Sequence, residues 1–584
     1  MSRRRTALLP LLVLTVLATV ASGCVRLPES GPVVETRSEG DVSTDTGVSF
    51  DPMPPQAGAT RVEIVRGFLI AMQKTPISTK VAREFLTADA AAAWNPQQET
   101  ITYPVSPTPL ERRGHVTISL DGANHLDSRG AWQGLLPERR SEITFGLSLE
   151  DGQWRIADLP DALIVPQDWF QQYFRQVSLY FFDPTASILV PEPVFAPRGE
   201  QFASAVTRSL LLGPSPGLDR VAQTFTPAGL QVAVGVTVSD DGLADILLSG
   251  EVGPLTAETI QLMLAQLAWT LRQDPAVESI RLSVGGDPVP LPGGVSSYRV
   301  DGGSQYDPAG FQASPLLYGL RRGGLVSGTS TGLAPVGGDL GSRELGLRSV
   351  GVSLDASAVA GVTGDGTRVL VGGLGAGADT GVRSVVSNGT DLLKPAWDFS
   401  GRMWLVDRTS RGARVSYVQD DSVRALEVPG VSGEQVRSFL VSRDGSRFVA
   451  VVRRPGGDRL VVSRIQHDGT GRVLGATRAR HIGNDDTSLP IRAIAWRTPT
   501  SVAVLRPPVS TSPASVEIAT VDGSPSGQEP SSLSVTGRLI GLAGSPAGDE
   551  PVYGLTRDGL IEITSADQRA TPLEKGVTEL VYVG

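Results

Sequence analysis

The chain has 584 residues and a formal charge of −9, with 67 Gly, 42 Pro, four His and one Cys. That length exceeds one hydrophobic core and calls for about three or four units of roughly 100–200 residues. A single cysteine excludes a disulfide framework, cysteine-based zinc sites and iron–sulfur clusters. An acidic body with no basic run beyond its first five residues is a poor partner for nucleic acid.

Arg3, Arg4 and Arg5 precede an apolar stretch over residues 6–21. It is short for a bilayer span of ~20 residues and has the length of a signal-peptide core. Ala21, Ser22 and Gly23 then lead to Cys24, the sole cysteine. This word resembles a bacterial lipobox, with Ala21 where Leu is commonest. The resemblance implies that residues 1–23 are a signal peptide and that Cys24 becomes the mature N-terminus, S-diacylglycerol-modified and N-acylated, typically with palmitate. At about 0.8 kcal/mol per buried CH₂, two or three such chains anchor stably where one does not. The alternative is an ordinary secretory signal with a coincidental cysteine. No later segment is apolar over the roughly 18 residues a span needs, so the body is expected on the extracytoplasmic face of the cell membrane. Loss of the three arginines leaves it at about −12. Residues 24–59, with Pro28, Pro32, Pro52, Pro54 and Pro55, read as a disordered tether.

Over 60–166 the pattern is that of a small α+β domain. Val62, Val65, Phe68/Leu69 and Met72 make one helical face, and a second helix is expected from Thr79 to Ala93, closed by Trp94. Alternating runs follow at His115–Leu120, Glu142–Leu149 and Trp154–Ile156, the last two flanking a hairpin signal at Glu150-Asp151-Gly152. The element order is similar to a cystatin-like cone.

Residues 167–300 form a second, α/β unit. Strands are expected at Val177–Phe182, Ser187–Pro191, Leu230–Val238, Leu243–Ser249 and Glu278–Val284. A helix over Glu200–Leu212 stops at Gly213-Pro214. Another, capped by Thr256, places Ile260, Met263/Leu264, Leu267 and Leu271 on one face. The words Leu211-Leu212-Gly213-Pro214, Pro227-Ala228-Gly229, Asp245–Ser249, Thr270-Leu271 and Val277–Val284 resemble the GerMN domain, which implies an α/β module without known enzymatic activity.

Residues 301–584 carry an internal repeat. Asp365-Gly366-Thr367-Arg368-Val369-Leu370-Val371 returns as Asp444-Gly445-Ser446-Arg447-Phe448-Val449-Ala450, with Ser400-Gly401-Arg402-Met403-Trp404 between them. The three glycines are 35 and 44 residues apart, and each follows an apolar strand, so they read as type I′ hairpin turns. Such a period suits an all-β propeller. Val577–Tyr582 looks like an inner strand without its hairpin, and Ser314–Val326 like a hairpin without its inner strand. Joined, they complete one blade and leave no open edge. The count reads as six blades, with five and seven as alternatives.

Candidate chemistry is sparse. Gly328-Thr329-Ser330-Thr331-Gly332 matches G-x-S-x-G but is followed by Pro335 and Gly337-Gly338 instead of a helix, which favours a loop between outer strands. Gly372–Gly377 fits neither G-x-G-x-x-G nor a P-loop. His115, His125, His467 and His481 are scattered without H-x-x-x-H spacing. No catalytic residue, metal or cofactor is expected.

Lipobox, tether, α+β domain, GerMN-like domain and propeller in this order resemble the actinobacterial LpqB lipoprotein family. The most specific segment is Gln261–Gln273. The family implies a non-enzymatic accessory protein that contacts the extracytoplasmic region of the histidine kinase MtrB and modulates MtrA–MtrB signalling in envelope homeostasis and cell division. The alternatives are an envelope glycan- or small-molecule-binding protein or hydrolase using the propeller channel, and a structural part of the cell-wall machinery.

Overall fold

A computed structural model describes residues 50–584 apart from 252, 254, 338, 343–344, 375–380, 484–488, 509–513, 526–531, 536, 549, 564–567 and 569. Its first ten residues depart from the expected tether. Phe50 N donates to Thr75 Oγ1 (3.0 Å), Lys74 pairs with Asp51 (2.5 Å), and Gly58 N donates to Gln153 Oε1 (2.8 Å). Residues 50–59 are thereby pinned to the first domain.

A capping box starts the first helix, Arg61–Ala71: Thr60 Oγ1 accepts from Glu63 N, and Glu63 Oε2 accepts from Thr60 N. The helix buries Ile64, Val65, Phe68 and Leu69, and the Phe68 ring packs against Trp94 and Phe145, centroids 5.4 and 6.1 Å away. The helix expected over 79–93 is two short ones, Lys80–Arg83 and Ala88–Ala93. The break arises because the chain between them pairs with a strand. Ile156 N donates to Phe85 O and Thr87 N to Ile156 O, both at 2.9 Å. One antiparallel sheet contains the expected strands His115–Ser119, Glu142–Glu150 and Gln153–Asp158. Asp151 and Gly152 both have positive φ at the predicted hairpin. A second sheet, ordered Trp132–Leu135, Asn124–Asp127, Glu99–Tyr103, Leu163–Pro166, had no clear alternation to reveal it.

The middle unit opens with a long antiparallel hairpin, Phe174–Phe182 with Leu189–Pro197. Its second strand runs past Pro191 through Pro193, which a two-stranded ribbon tolerates because each strand has a free edge. Leu243–Ser249 and Ser279–Val284 pair in parallel, connected through the helix Ala257–Leu271, which Thr256 caps. That helix is buried on more than the one expected face. Met263, Leu264, Leu267 and Leu271 pack into the sheet-side core, while Leu262, Ala265 and Trp269 pack with Phe182 and Leu189 of the hairpin. Gln266 and Thr270, also buried, are satisfied by the backbone of Phe225 and Tyr180. The strand expected over 230–238 is two fragments, Gln231–Val232 and Thr237–Val238. The Ser204 hydroxyl accepts from Val236 N between them (2.7 Å).

The last region is all-β and propeller-like. The described residues form six antiparallel sheets, whose innermost strands are Val577–Val581, Leu347–Val352, Ala396–Trp397, Gln435–Val441, Ala493–Thr498 and Gly541–Ala543. Each of these strands touches the next in that order from Leu347–Val352 on, and Val577–Val581 touches both Gly541–Ala543 and Leu347–Val352. Val577–Val581 also pairs antiparallel with Leu317–Arg321, so the two ends of the region share one sheet as expected.

Two details of the repeat need correction. The turns after the innermost strands are Ser353–Ala356, Asp398–Gly401 and Ser442–Gly445, whereas Gly366 sits one strand later, between Ala358–Thr363 and Val369–Gly373. Equivalent positions are therefore Ala356, Gly401 and Gly445, 45 and 44 residues apart. The turns are also not type I′. In each, the fourth residue's amide donates to the first residue's carbonyl (2.8–3.0 Å). Of the four residues only the last has positive φ, which is a type I turn followed by a left-handed residue. Where an aspartate holds the third position it acts locally: Asp444 Oδ1 accepts from Ser446 N at 2.7 Å.

Candidate functional site: two ends of the propeller-like sheets

Cys24, with Ala21, Ser22 and Gly23, lies outside the described residues. Ser330 sits at the tip of a hairpin in which Thr329 pairs with Gly332, so G-x-S-x-G is a turn between outer strands. Gly372 and Gly373 end a strand, and residues 375–377 of that glycine run lie outside the described residues. His125 Nδ1 is 2.7 Å from Glu99 Oε1, and His115 is exposed on the first domain's antiparallel sheet. His467 and His481 belong to the fourth propeller-like sheet. Among the described residues no three His, Cys, Asp or Glu side chains converge as a metal site would require.

What the fold brings together instead is a group of arginines that the sequence reading passed over. Glu192, on the middle unit's hairpin, accepts two hydrogen bonds from Arg464 (2.8 and 2.6 Å) and one from Arg447 (3.1 Å). Arg447 is fully buried and also reaches Pro191 O, Ser446 Oγ (3.1 Å) and Asp444 (3.5 Å). Burial, reinforced by the neighbouring Arg464 charge, lowers its pKa to about 10, so it remains a cation at neutral pH. Gln176 Nε2 adds a bond to Ser524 Oγ (2.8 Å), and His467 N donates to Arg220 O (2.7 Å). Burial, followed by the charge of Arg402, pushes the His467 imidazole down to about 4, which leaves it neutral. Arg402 itself holds Asp398 (2.7 Å) and Gly471 O (2.7 Å).

Beside this junction Arg443 acts as a pin. Its guanidinium donates to Ala309 O (2.7 Å), Val583 O (2.8 Å) and Ser545 Oγ (3.2 Å). It therefore ties the fourth sheet's first turn to the segment entering the region and to the last residues of the chain. The available signal was in the repeat: Arg402 and Arg447 follow the turn glycines directly or by one residue, a register read only for its glycines.

The junction contacts from the propeller-like region lie in or next to turns after first or third strands or, for Arg464, on the third strand directly opposite Arg447. Because strands alternate direction, turns after second strands, such as Ser410-Arg411 and Pro455-Gly456, lie at the opposite end, where these four residues are exposed. The middle unit occupies one end and leaves the other open.

Comparison with known proteins agrees with this layout region by region. The model "Lipoprotein LpqB, N-terminal domain" matches residues 54–171, "Sporulation and spore germination" residues 178–290, and "Lipoprotein LpqB beta-propeller domain" residues 323–575. The chain belongs to the LpqB lipoprotein family. Its relatives include the LpqB lipoproteins of Thermobifida fusca (28% identical, covering 77% of this chain and 80% of that one) and Streptomyces avermitilis (27%, 97% of each). That of Rhodococcus jostii is 29% identical over 86% of each chain. These relatives carry the lipoprotein name, and no helix among the described residues of this multidomain chain is long and apolar enough to cross a membrane.

Proposed function

We propose that this chain is anchored to the extracytoplasmic face of the cell membrane and works by binding protein, without turnover of a substrate. Residues 1–23 are removed, Cys24 carries the diacylglycerol and an N-acyl chain, and the segment up to Phe50 is the leash. The six sheets are the blades of a closed ring, sealed by the pairing of Val577–Val581 with Leu317–Arg321. The partner is the extracytoplasmic sensor region of the histidine kinase MtrB, and its engagement modulates MtrA–MtrB signalling. The observation that carries this reading is the clamp on Glu192, which fixes the middle unit to the ring and so presents the opposite end as a rigid surface. The perturbed groups Arg447 and His467, buried in the junction, and Arg443, buried beside it, support it, since their burial assigns them to packing. Tethering beside a membrane receptor raises effective concentration, so modest affinity suffices.

Membrane fractionation of wild type and Cys24→Ala, with a pull-down of the MtrB sensor region by the full chain, tests both halves. Release of the variant and retention of the sensor region are expected. Full membrane retention of Cys24→Ala overturns the anchor, and failure to retain the sensor region overturns the partner.

A further inference from the structure

At the open end, the third and fourth sheets diverge around a cleft of about 550 Å³. Its walls are the Thr409–Gly412 hairpin, the entry to the strand Gln435–Val441, and Arg453 at the end of Arg447–Arg454. The hairpin is fixed to the next sheet by backbone bonds, Ala413 N to Glu434 O (2.8 Å) and Gly433 N to Ala413 O (2.9 Å), so the cleft is a built feature. Four arginines line it: Arg408, Arg411, Arg437 and Arg453. This is a concentration of positive charge in a chain whose formal charge is −9.

The local acids do not exhaust these cations. Asp391 is shared between Arg408 and Arg348, and Asp458 between Arg437 and Arg453; the one acid in the lining, Glu434, pairs with Arg454 outside it. Arg411 has no ion pair among the described residues. Arg437 reaches Asp458 through Nε (3.1 Å), and its two terminal nitrogens make no hydrogen bond among the described residues. Arg437 occupies the register shift between Val436 and Ser438, a bulge of the kind that re-aims a side chain. Guanidinium forks match the paired oxygens of phosphate and carboxylate.

We infer that this cleft binds an oxyanion, a phosphate or carboxylate group borne on a ligand the size of a sugar, with Arg411 and Arg437 as its principal donors. The proposal stands apart from the kinase reading, because it needs neither the anchor nor the partner. It is tested on the full-length chain in non-ionic detergent at constant ionic strength and neutral pH. Glucose 1-phosphate and inorganic phosphate are followed by phosphorus NMR line broadening, and glucuronate is added as a competitor. Saturable broadening is expected, and its reversal by glucuronate would assign the carboxylate as an equally good ligand, whereas its persistence would assign the phosphate. Replacing one charge-assisted donor by Arg411→Gln, at an exposed hairpin tip, should weaken binding about tenfold with unchanged melting temperature. Arg437→Gln should weaken it similarly, and Arg299→Gln, far from the cleft in sequence and paired with Asp301, should not. Absence of saturable broadening with both phosphates, or equal binding by wild type and both cleft variants, overturns the proposal.

Discussion

Arginine does opposite things at the two ends of the propeller-like sheets. At the junction, Arg443 and Arg447 are buried and most of their donors are assigned to carbonyls, hydroxyls or carboxylates. At the open end, Arg411 and Arg453 are exposed, Arg411 has no ion pair among the described residues, and Arg437 spends only its Nε on Asp458. The difference teaches that residue type alone does not mark a binding surface. What separates a structural arginine from a recruiting one is whether its own chain supplies the acceptors.

The largest expected effect lies at the junction. Glu192→Leu leaves Arg447 and Arg464 facing each other without their shared acid, and breaking such a buried arrangement costs about 3–5 kcal/mol. Urea unfolding followed by circular dichroism should show that loss, and a change below ~1 kcal/mol would mean that the clamp is dispensable. Gly412→Ala should come next. Gly412 has φ +100°, and an added Cβ would lie 2.0 Å from Gly433 O. The backbone must shift at a cost of about 1–3 kcal/mol, and oxyanion binding in the neighbouring cleft should fall with it.

A pH test probes the ring between the two ends. Glu579, on the innermost strand Val577–Val581, has its pKa raised to about 7 by burial, against the opposing effects of Lys394 and the Val350 amide. A carboxyl with a raised folded-state pKa binds more protons folded than unfolded. Its contribution therefore favours folding at low pH and is lost as pH climbs from about 4.5 through about 7. His467 acts in the opposite sense: its lowered pKa makes stability rise with pH between about 4 and 6.5. The informative quantity is thus the difference between wild type and Glu579→Gln, which should be small near pH 5 and favour the variant near pH 8. A difference independent of pH would show that Glu579 does not titrate in this range. The smallest effect belongs to Arg411→Gln, expected within about 0.5 kcal/mol of wild type because the side chain is exposed and makes no ion pair.

Much of the architecture was legible where local chemistry and tertiary role coincide. The helix Arg61–Ala71 has both a capping box and an apolar face, and the chain-end strand Val577–Val581 lacked a hairpin of its own. The failures share one cause, pairing with distant residues. Residues 85–87 leave a helical pattern because Ile156 claims their backbone, and Ser204 breaks the strand over 230–238 by taking the Val236 amide. The repeat was misregistered because Asp-Gly words occur after second strands as well as first ones, and sequence spacing alone cannot say which turn belongs to which end. The arginine sites were hidden for a related reason. Glu192 and Arg464 are 272 residues apart, and nothing local in either word announces the other.

Site-specific photo-crosslinking in cells tests the division of labour between the two ends most directly. A photoreactive residue at Pro455, on the open end, should crosslink to the membrane kinase, while one at Arg281, on the middle unit's sheet, should not. Kinase adducts from position 281 with none from 455 would contradict the account.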